Sequence, residues 1–320
     1  MAQTSRLVKS LTRLVFPAIL LIVVAIGGGS VWLVYTAAHP VKTQYIVTPD
    51  KYGRLSTRAA QITDENWPDR DGSTSRGWLL KGIENGPAVI LIHKYGADRS
   101  YLLNLGVKLN ESTNFTVLMP DLRAHGENPS VQNASFGGCE SEDLTSAVEY
   151  LRGLKGPNGN PLVGKSIGVY GVEMGSLPAL SAAAKDPGIT AIAVDSVPQD
   201  SDDVVREAVV KRYPFGSSAT SRLAKLGTYL YFYDGCYRRE SSCEVASAVS
   251  AKNVLLLAGV DAPEFQESTN KLGKCFPAGG KIQTFTNLSP SGFSIVNASL
   301  DQSDSYDQRL IDFFHNSLEN

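Results

Sequence analysis

The chain has 320 residues, 42% hydrophobic and 19% charged, an ordinary globular balance that is ample for a buried core. Its formal net charge is −2 with lysines and arginines scattered, so the charge pattern supports no nucleic-acid partner. No internal repeat or low-complexity tract stands out, which sets aside repeat architectures.

Residues 1–13 form a short tail carrying Arg6, Lys9 and Arg13. Residues 14–38 then run for 25 positions without a charge. At about 1.5 Å per residue such a helix crosses a hydrocarbon core of about 30 Å with room to tilt. Only His39 and Lys42 follow closely, so the positive-inside rule predicts a cytoplasmic N-terminus, a single pass and an exported remainder. Trp32 and Tyr35 stand near the outer end, where amphipathic rings favour the interface. Thr36-Ala37-Ala38 also fits a leader cleavage site, so a removed signal peptide stays open beside an uncleaved anchor. The apolar stretch is nearly twice the usual leader length, which favours the anchor.

Residues 39–54 read as a polar tether and 55–320 as the main domain. A turn cluster at Asp69-Arg70-Asp71-Gly72-Ser73 separates two strands, one before Asn66 and one near residues 76–80. Short apolar runs at 87–92, 115–119, 166–170, 191–194 and 254–257 have the look of strands buried on both faces, and 281–288 of a last strand. Helical spacing appears at 101–111, 140–155, 174–185 and 305–318. Strands alternating with helices predict a mostly parallel twisted sheet wrapped on both faces. Residues 200–250 break the rhythm and read as a short cap insertion over the sheet's C-terminal edge. The four cysteines (Cys139, Cys236, Cys243, Cys275) suit an oxidising compartment; three pairings are open, and proximity in sequence favours Cys236–Cys243. Their spacing does not suggest a metal site, and nothing implies a cofactor.

Three segments, in order, resemble the α/β-hydrolase superfamily of serine esterases, lipases and peptidases over residues 55–318. His93-Lys94-Tyr95-Gly96-Ala97-Asp98 is similar to the oxyanion loop, and Asp121-Leu122-Arg123-Ala124-His125-Gly126 to the turn after the next strand. Gly171-Val172-Glu173-Met174-Gly175-Ser176 stands where the nucleophile elbow belongs, between strand and helix. The resemblance implies the α/β-hydrolase fold, preceded here by one transmembrane helix.

The catalytic pattern departs from that family at each position. Glu173 stands where the nucleophilic serine is expected, and the loop Ser289-Pro290-Ser291-Gly292-Phe293 after the last strand has no histidine base. Asp261 in Gly259-Val260-Asp261-Ala262-Pro263 is one residue early for the acid, with Asp195 a stand-in. His93 and His125 suit structural roles, and His315 a solvated one. Glycine usually follows the loop histidine, but here it is Lys94. Two readings of this pair are open: Glu173 fills the old oxyanion space, bonded to the backbone N–H groups of Met174 and Tyr95 with Lys94 balancing its charge, or Lys94 points into water and the two substitutions are unrelated. The reading that follows is an inactive, membrane-held protein that binds a small molecule or a protein. The alternative is an active hydrolase of an ester, amide or similar substrate with non-standard residues.

Overall fold

The computed structural model describes residues 2–319 except Thr43, 55–57, Ala59, Ala60, 128–130, Phe215, Asp234 and Lys252, with side chains inside the first helix described from Val15 onward. In chain order the elements are α1 (Ala2–Ala38), α2 (Pro49–Tyr52), β1 (Thr63–Pro68), β2 (Thr74–Leu80), β3 (Gly86–Ile92), α3 (Leu103–Thr113) and β4 (Thr116–Pro120). There follow α4 (Cys139–Gly153), β5 (Val163–Val172), α5 (Ser176–Lys185), β6 (Ile189–Asp195), α6 (Ser201–Arg212), α7 (Ser217–Tyr231) and α8 (Ser242–Ser247). The last are β7 (Asn253–Gly259), α9 (Pro263–Leu272), β8 (Lys281–Leu288) and α10 (Leu300–Leu318). Contacts divide the chain into two units, residues 39–204 with 236–320, and residues 1–38 with 205–235.

In the larger unit, eight strands among the described residues form one sheet in the order β1-β2-β4-β3-β5-β6-β7-β8. The β1–β2 and β2–β4 pairs are antiparallel and every later pair is parallel. The central strands read as unbroken apolar runs because both faces are covered: Val89 to Ile92, Ile192 to Val194 and Val254 to Leu257 are all buried. On one face, Leu103 and Leu109 of α3 and Leu310 and Phe314 of α10 join the core cluster that includes Val89, Tyr170 and Ala193. From β3 the chain passes to β4 on one side and then to β5 on the other. That reversal opens a crevice beyond the C-terminal ends of β3 and β5, where folds of this kind place their ligands.

Several boundaries differ from the sequence reading. β1 includes Asn66, and α10 begins at Leu300 because Ser299 and Gln302 form a capping box. Residues 173–175 form a 3-10 turn, so α5 starts at Ser176 and not at Met174. The expected tether is pinned to the sheet unit: Ile46 N donates to Ser100 Oγ (2.9 Å), Tyr45 OH to Asp121 Oδ2 (3.0 Å), and Tyr52 OH to Asn104 Oδ1.

The cysteines correct the expected Cys236–Cys243 bridge. The bonds are Cys139–Cys236 and Cys243–Cys275, with Cα separations of 5.3 and 5.2 Å. Cys236 lies against Gly138 at the start of α4, so closely that a Cβ there would overlap the Cys236 carbonyl oxygen. The chain then runs across α4 and α5, with Arg238 Nη1 on Ser181 Oγ (2.7 Å), before Ser241 caps α8. That crossing takes up the short gap and delivers Cys243 to Cys275, three residues past the end of α9.

In the smaller unit, α7 lies antiparallel on α1. Gly227 sits against Ser30 and Val34, Leu230 against Gly27, and Trp32 meets Tyr213 with ring centroids 5.3 Å apart. Residues 205–235, the middle of the predicted cap, thus group with α1, whereas 236–250 stay with the sheet. The segment Val15–Ala38 is long and apolar enough to cross a membrane.

Candidate active site

At the end of β5 the chain turns so sharply that Glu173 adopts φ +47°, in the left-handed region that side chains other than glycine seldom occupy. The flanking glycines permit this. A Cβ on Gly171 would overlap the Gly175 carbonyl, and one on Gly175 would lie 2.6 Å from His93 O and 2.7 Å from Ile92 O. The turn points Glu173 back toward the loop after β3, and the side chain is only 3% exposed. Its Oε2 accepts from Tyr95 N (2.8 Å) and from Met174 N (2.6 Å). Ser176 Oγ, buried in the same turn, donates to the Glu173 carbonyl.

The loop after β3 is held by two histidines. His93 Nε2 accepts from Leu122 N (3.0 Å) and His125 Nε2 accepts from Gly96 N (3.0 Å). Each ring faces a carbonyl with Nδ1, that of Lys94 at 2.8 Å for His93 and that of Arg123 at 2.7 Å for His125. This pattern fits one tautomer, proton on Nδ1 and lone pair on Nε2. Burial first, then the neighbouring His93, pushes His125 down to about 3, and burial lowers His93 as well. Both imidazoles are committed to backbone groups and serve as braces between loops. His315 is far from this role, half exposed on α10 and beside Glu319 (3.2 Å).

The loop after β8 is fastened from four directions. Asp261, in the loop after β7, accepts from Ser291 N and Ser291 Oγ, both at 3.0 Å. Asp195, at the end of β6, accepts from Gly292 N (2.9 Å), Tyr306 OH (2.6 Å) and Ser196 Oγ (2.7 Å), and burial raises its pKa. Tyr101 OH donates to the carbonyls of Gly292 (2.7 Å) and Phe293 (2.8 Å). Lys94 Nζ donates to Phe293 O (2.6 Å) and stands 4.1 Å from the Phe293 ring centroid. The Tyr101 hydroxyl is raised by burial first, then by Asp195, Asp261 and Glu173, so the three carboxylates converge on one neighbourhood.

Glu173, Tyr95 and Met174 are thus brought into direct contact, and Asp261 meets Ser291. Lys94 reaches the loop after β8 through the Phe293 carbonyl. Because Asp261 lies in a loop, its early position in the sequence leaves it free to face Ser291, as it would not in a strand. Sequence reasoning missed Tyr101, Tyr306, Ser291 and Phe293 as partners in this arrangement; no local pattern marks them. Among the described residues no group of His, Cys, Asp and Glu could hold a metal ion.

No family model matches the chain. A stretch of 123 residues is 28% identical to a thiohydrolase of Aspergillus aculeatus, covering 38% of this chain and 37% of that protein. Another of 164 residues is 26% identical to a polyketide transferase of Stachybotrys chlorohalonatus, covering 51% and 52%. The chain therefore spans about half or less of the curated relatives it matches. Among solved structures, an esterase of Pyrococcus furiosus superposes with a TM-score of 0.63 at 18% identity, covering 88% of this chain and 99% of that one. A dienelactone hydrolase of Anabaena variabilis gives 0.54 at 16% identity, covering 81% and 99%.

The chain has the α/β-hydrolase fold.

In an α/β-hydrolase the oxyanion hole is built from the N–H of the residue after the nucleophile and an N–H of the loop after β3. Met174 N and Tyr95 N occupy those two positions, and both donate to the Glu173 carboxylate.

Proposed function

We propose that this is a membrane-held α/β-hydrolase-fold protein that does not turn over substrate and acts by binding a small molecule or a protein. The observation that carries the proposal is the Glu173 carboxylate on the two oxyanion N–H groups. An ester carbonyl gains reactivity there only when those donors are open to the charge that develops on its oxygen. A resident carboxylate takes both and adds a negative charge where another would form. With Ser291 at the place of an imidazole, no base among the described residues stands ready to activate an attacking group or water. Residues 1–13 are read as cytoplasmic, 14–38 as the span, and the rest as exported, which two disulfides support.

The second reading, a hydrolase with Glu173 as attacking carboxylate, is favoured by relatives whose names denote acyl chemistry. One experiment separates the two: the purified full chain is offered short-chain nitrophenyl esters and thioesters, and a serine-reactive phosphonate. Neither turnover above a heat-denatured control nor labelling is expected. Turnover that disappears in Glu173→Gln would establish the second reading instead.

A further inference from the structure

The apolar part of α1 has two kinds of surface. From Val15 to Ile26 large side chains such as Phe16, Leu21 and Val24 are exposed, whereas from Gly27 onward α7 lies alongside. At about 1.5 Å per residue the first stretch is only roughly 18 Å long, well short of a hydrocarbon core of about 30 Å. A span needs about 20 residues, and counted from Val15 these end at Val34. Any bilayer crossed by α1 therefore takes in the level where Gly227 lies on Ser30 and Val34, and Leu230 on Gly27.

The sequence of α7 changes along its axis to match. Its first part carries serines, Arg222 and Lys225; residues 226–233 (Leu-Gly-Thr-Tyr-Leu-Tyr-Phe-Tyr), the last two just past the helix, carry no charge. The antiparallel pairing sets the charged part toward the outer end of α1 and the uncharged part deeper. The inner face is small, with Ala224, Gly227 and Thr228 buried, which is how helices approach one another in lipid. Thr228 Oγ1 bonds to Lys225 O and Thr36 Oγ1 to Leu33 O, each at 2.8 Å within its own helix, as hydroxyls in membrane helices do. The outer face shows Leu226, Tyr229 and Leu230 at 41%, 53% and 47% exposure, and Tyr233, two residues past the helix, is 90% exposed. The rings of Tyr35 and Tyr231 meet edge to face, with centroids 6.3 Å apart.

We infer that Leu226, Tyr229 and Leu230 of α7, with Tyr233 two residues beyond it, form a second lipid contact, inserted into the outer half of the bilayer beside the span, with Arg222 and Lys225 among the headgroups. This rests on α1 being a membrane span, and the test separates the two statements. The full chain is reconstituted into phosphatidylcholine vesicles containing a lipid with a photoactivatable diazirine in its acyl chain, irradiated, digested and mapped by mass spectrometry. Adducts are expected on 226–233 to an extent comparable with 15–26, and several-fold fewer on the exposed edge strand β8. Leu230→Glu should reduce the adducts on 226–233 and leave those on 15–26 in place. Adducts on 15–26 with none on 226–233 would overturn the inference and keep the span; adducts on neither would overturn both. A cross-link between two copies through Tyr229, without lipid adducts there, would assign this face to self-association and likewise overturn it.

Discussion

On the proposed reading, the loops after β5 and after β8, which would serve the same reaction in an active α/β-hydrolase, differ from the working pattern in different ways. The loop after β5 keeps its backbone and changes one side chain: Gly171 and Gly175 still allow the close turn, and position 173 keeps φ +47°. In the loop after β8 the imidazole is missing and the backbone is tied down, to Asp261, Asp195, Tyr101 and Lys94. A turn wedged between β3 and β5 has nowhere to relax, so a substitution at its apex alters the side chain and leaves the backbone in place. A loop at the sheet's edge can be rebuilt around whatever partners it finds.

The largest effect should come from restoring both side chains. Glu173→Ser empties the oxyanion N–H groups without disturbing the turn, so slow phosphonate labelling at position 173 is expected where the parent chain gives none. Adding Ser291→His sets an imidazole beside Asp261, and general-base assistance should raise the labelling rate by about 10²–10⁴-fold. A double variant no faster than the single one would mean that the loop after β8 has been remodelled beyond a side-chain repair.

Acid should strike the braced loop after β3. His125, ordinarily near 6.5, is held at about 3 by burial and by His93, so the folded chain binds fewer protons than the unfolded chain between those values. Stability is then full above pH 6.5 and falls as pH drops toward 3, by up to about 4 kcal/mol from this group. Buried carboxylates titrate in the same range with the opposite sign, Asp143 being raised to about 7 by burial, so the share of His125 is the difference in unfolding midpoint between the full chain and His125→Gln in detergent. That difference should change with pH between 6.5 and 3. A difference that stays constant would show that the loop is held by something other than a neutral imidazole.

A smaller loss is expected at the elbow. Glu173→Gln keeps an acceptor for Tyr95 N and Met174 N but removes the charge that strengthens both bonds, at about 1–3 kcal/mol. A variant as stable as the parent would mean that the carboxylate is tolerated there and not held.

Much of this was legible in the sequence where one segment carries its own signal. Buried parallel strands such as Val254–Leu257 read as unbroken apolar runs, and Gly171-Val172-Glu173-Met174-Gly175 shows both the turn and the changed residue. The Met174 N–H beside Glu173 follows from its place at the start of a helical turn. What was illegible depends on pairs far apart in the chain. Cys139–Cys236 spans 97 residues, Lys94 reaches Phe293, and α7 finds α1 by shape, with Gly227 against Ser30. Proximity along the chain misled at Cys236 because the residues after it cross two helices before reaching Cys243.

The smallest effect sharpens the account of the loop after β8. Asp261 makes two bonds to Ser291, one to its N–H and one to its hydroxyl, so the two partners should not be equivalent. Ser291→Ala removes only the hydroxyl bond, and a single bond to an ionised acceptor is worth about 1.5–3 kcal/mol at most. Asp261→Ala removes both and leaves a buried N–H to find another acceptor, so it should cost more. The two losses should also fail to add, because the hydroxyl bond is counted in each; the coupling equals its worth, about 1 kcal/mol or more. The cycle is read from unfolding midpoints of the full chain and its three variants. Additive losses would show that the hydroxyl bond contributes nothing, leaving Asp195 and Tyr101 to hold the loop. In that case the site vacated by the base would be closed from the Gly292 side, and Asp261 would stand free to orient an imidazole placed at 291.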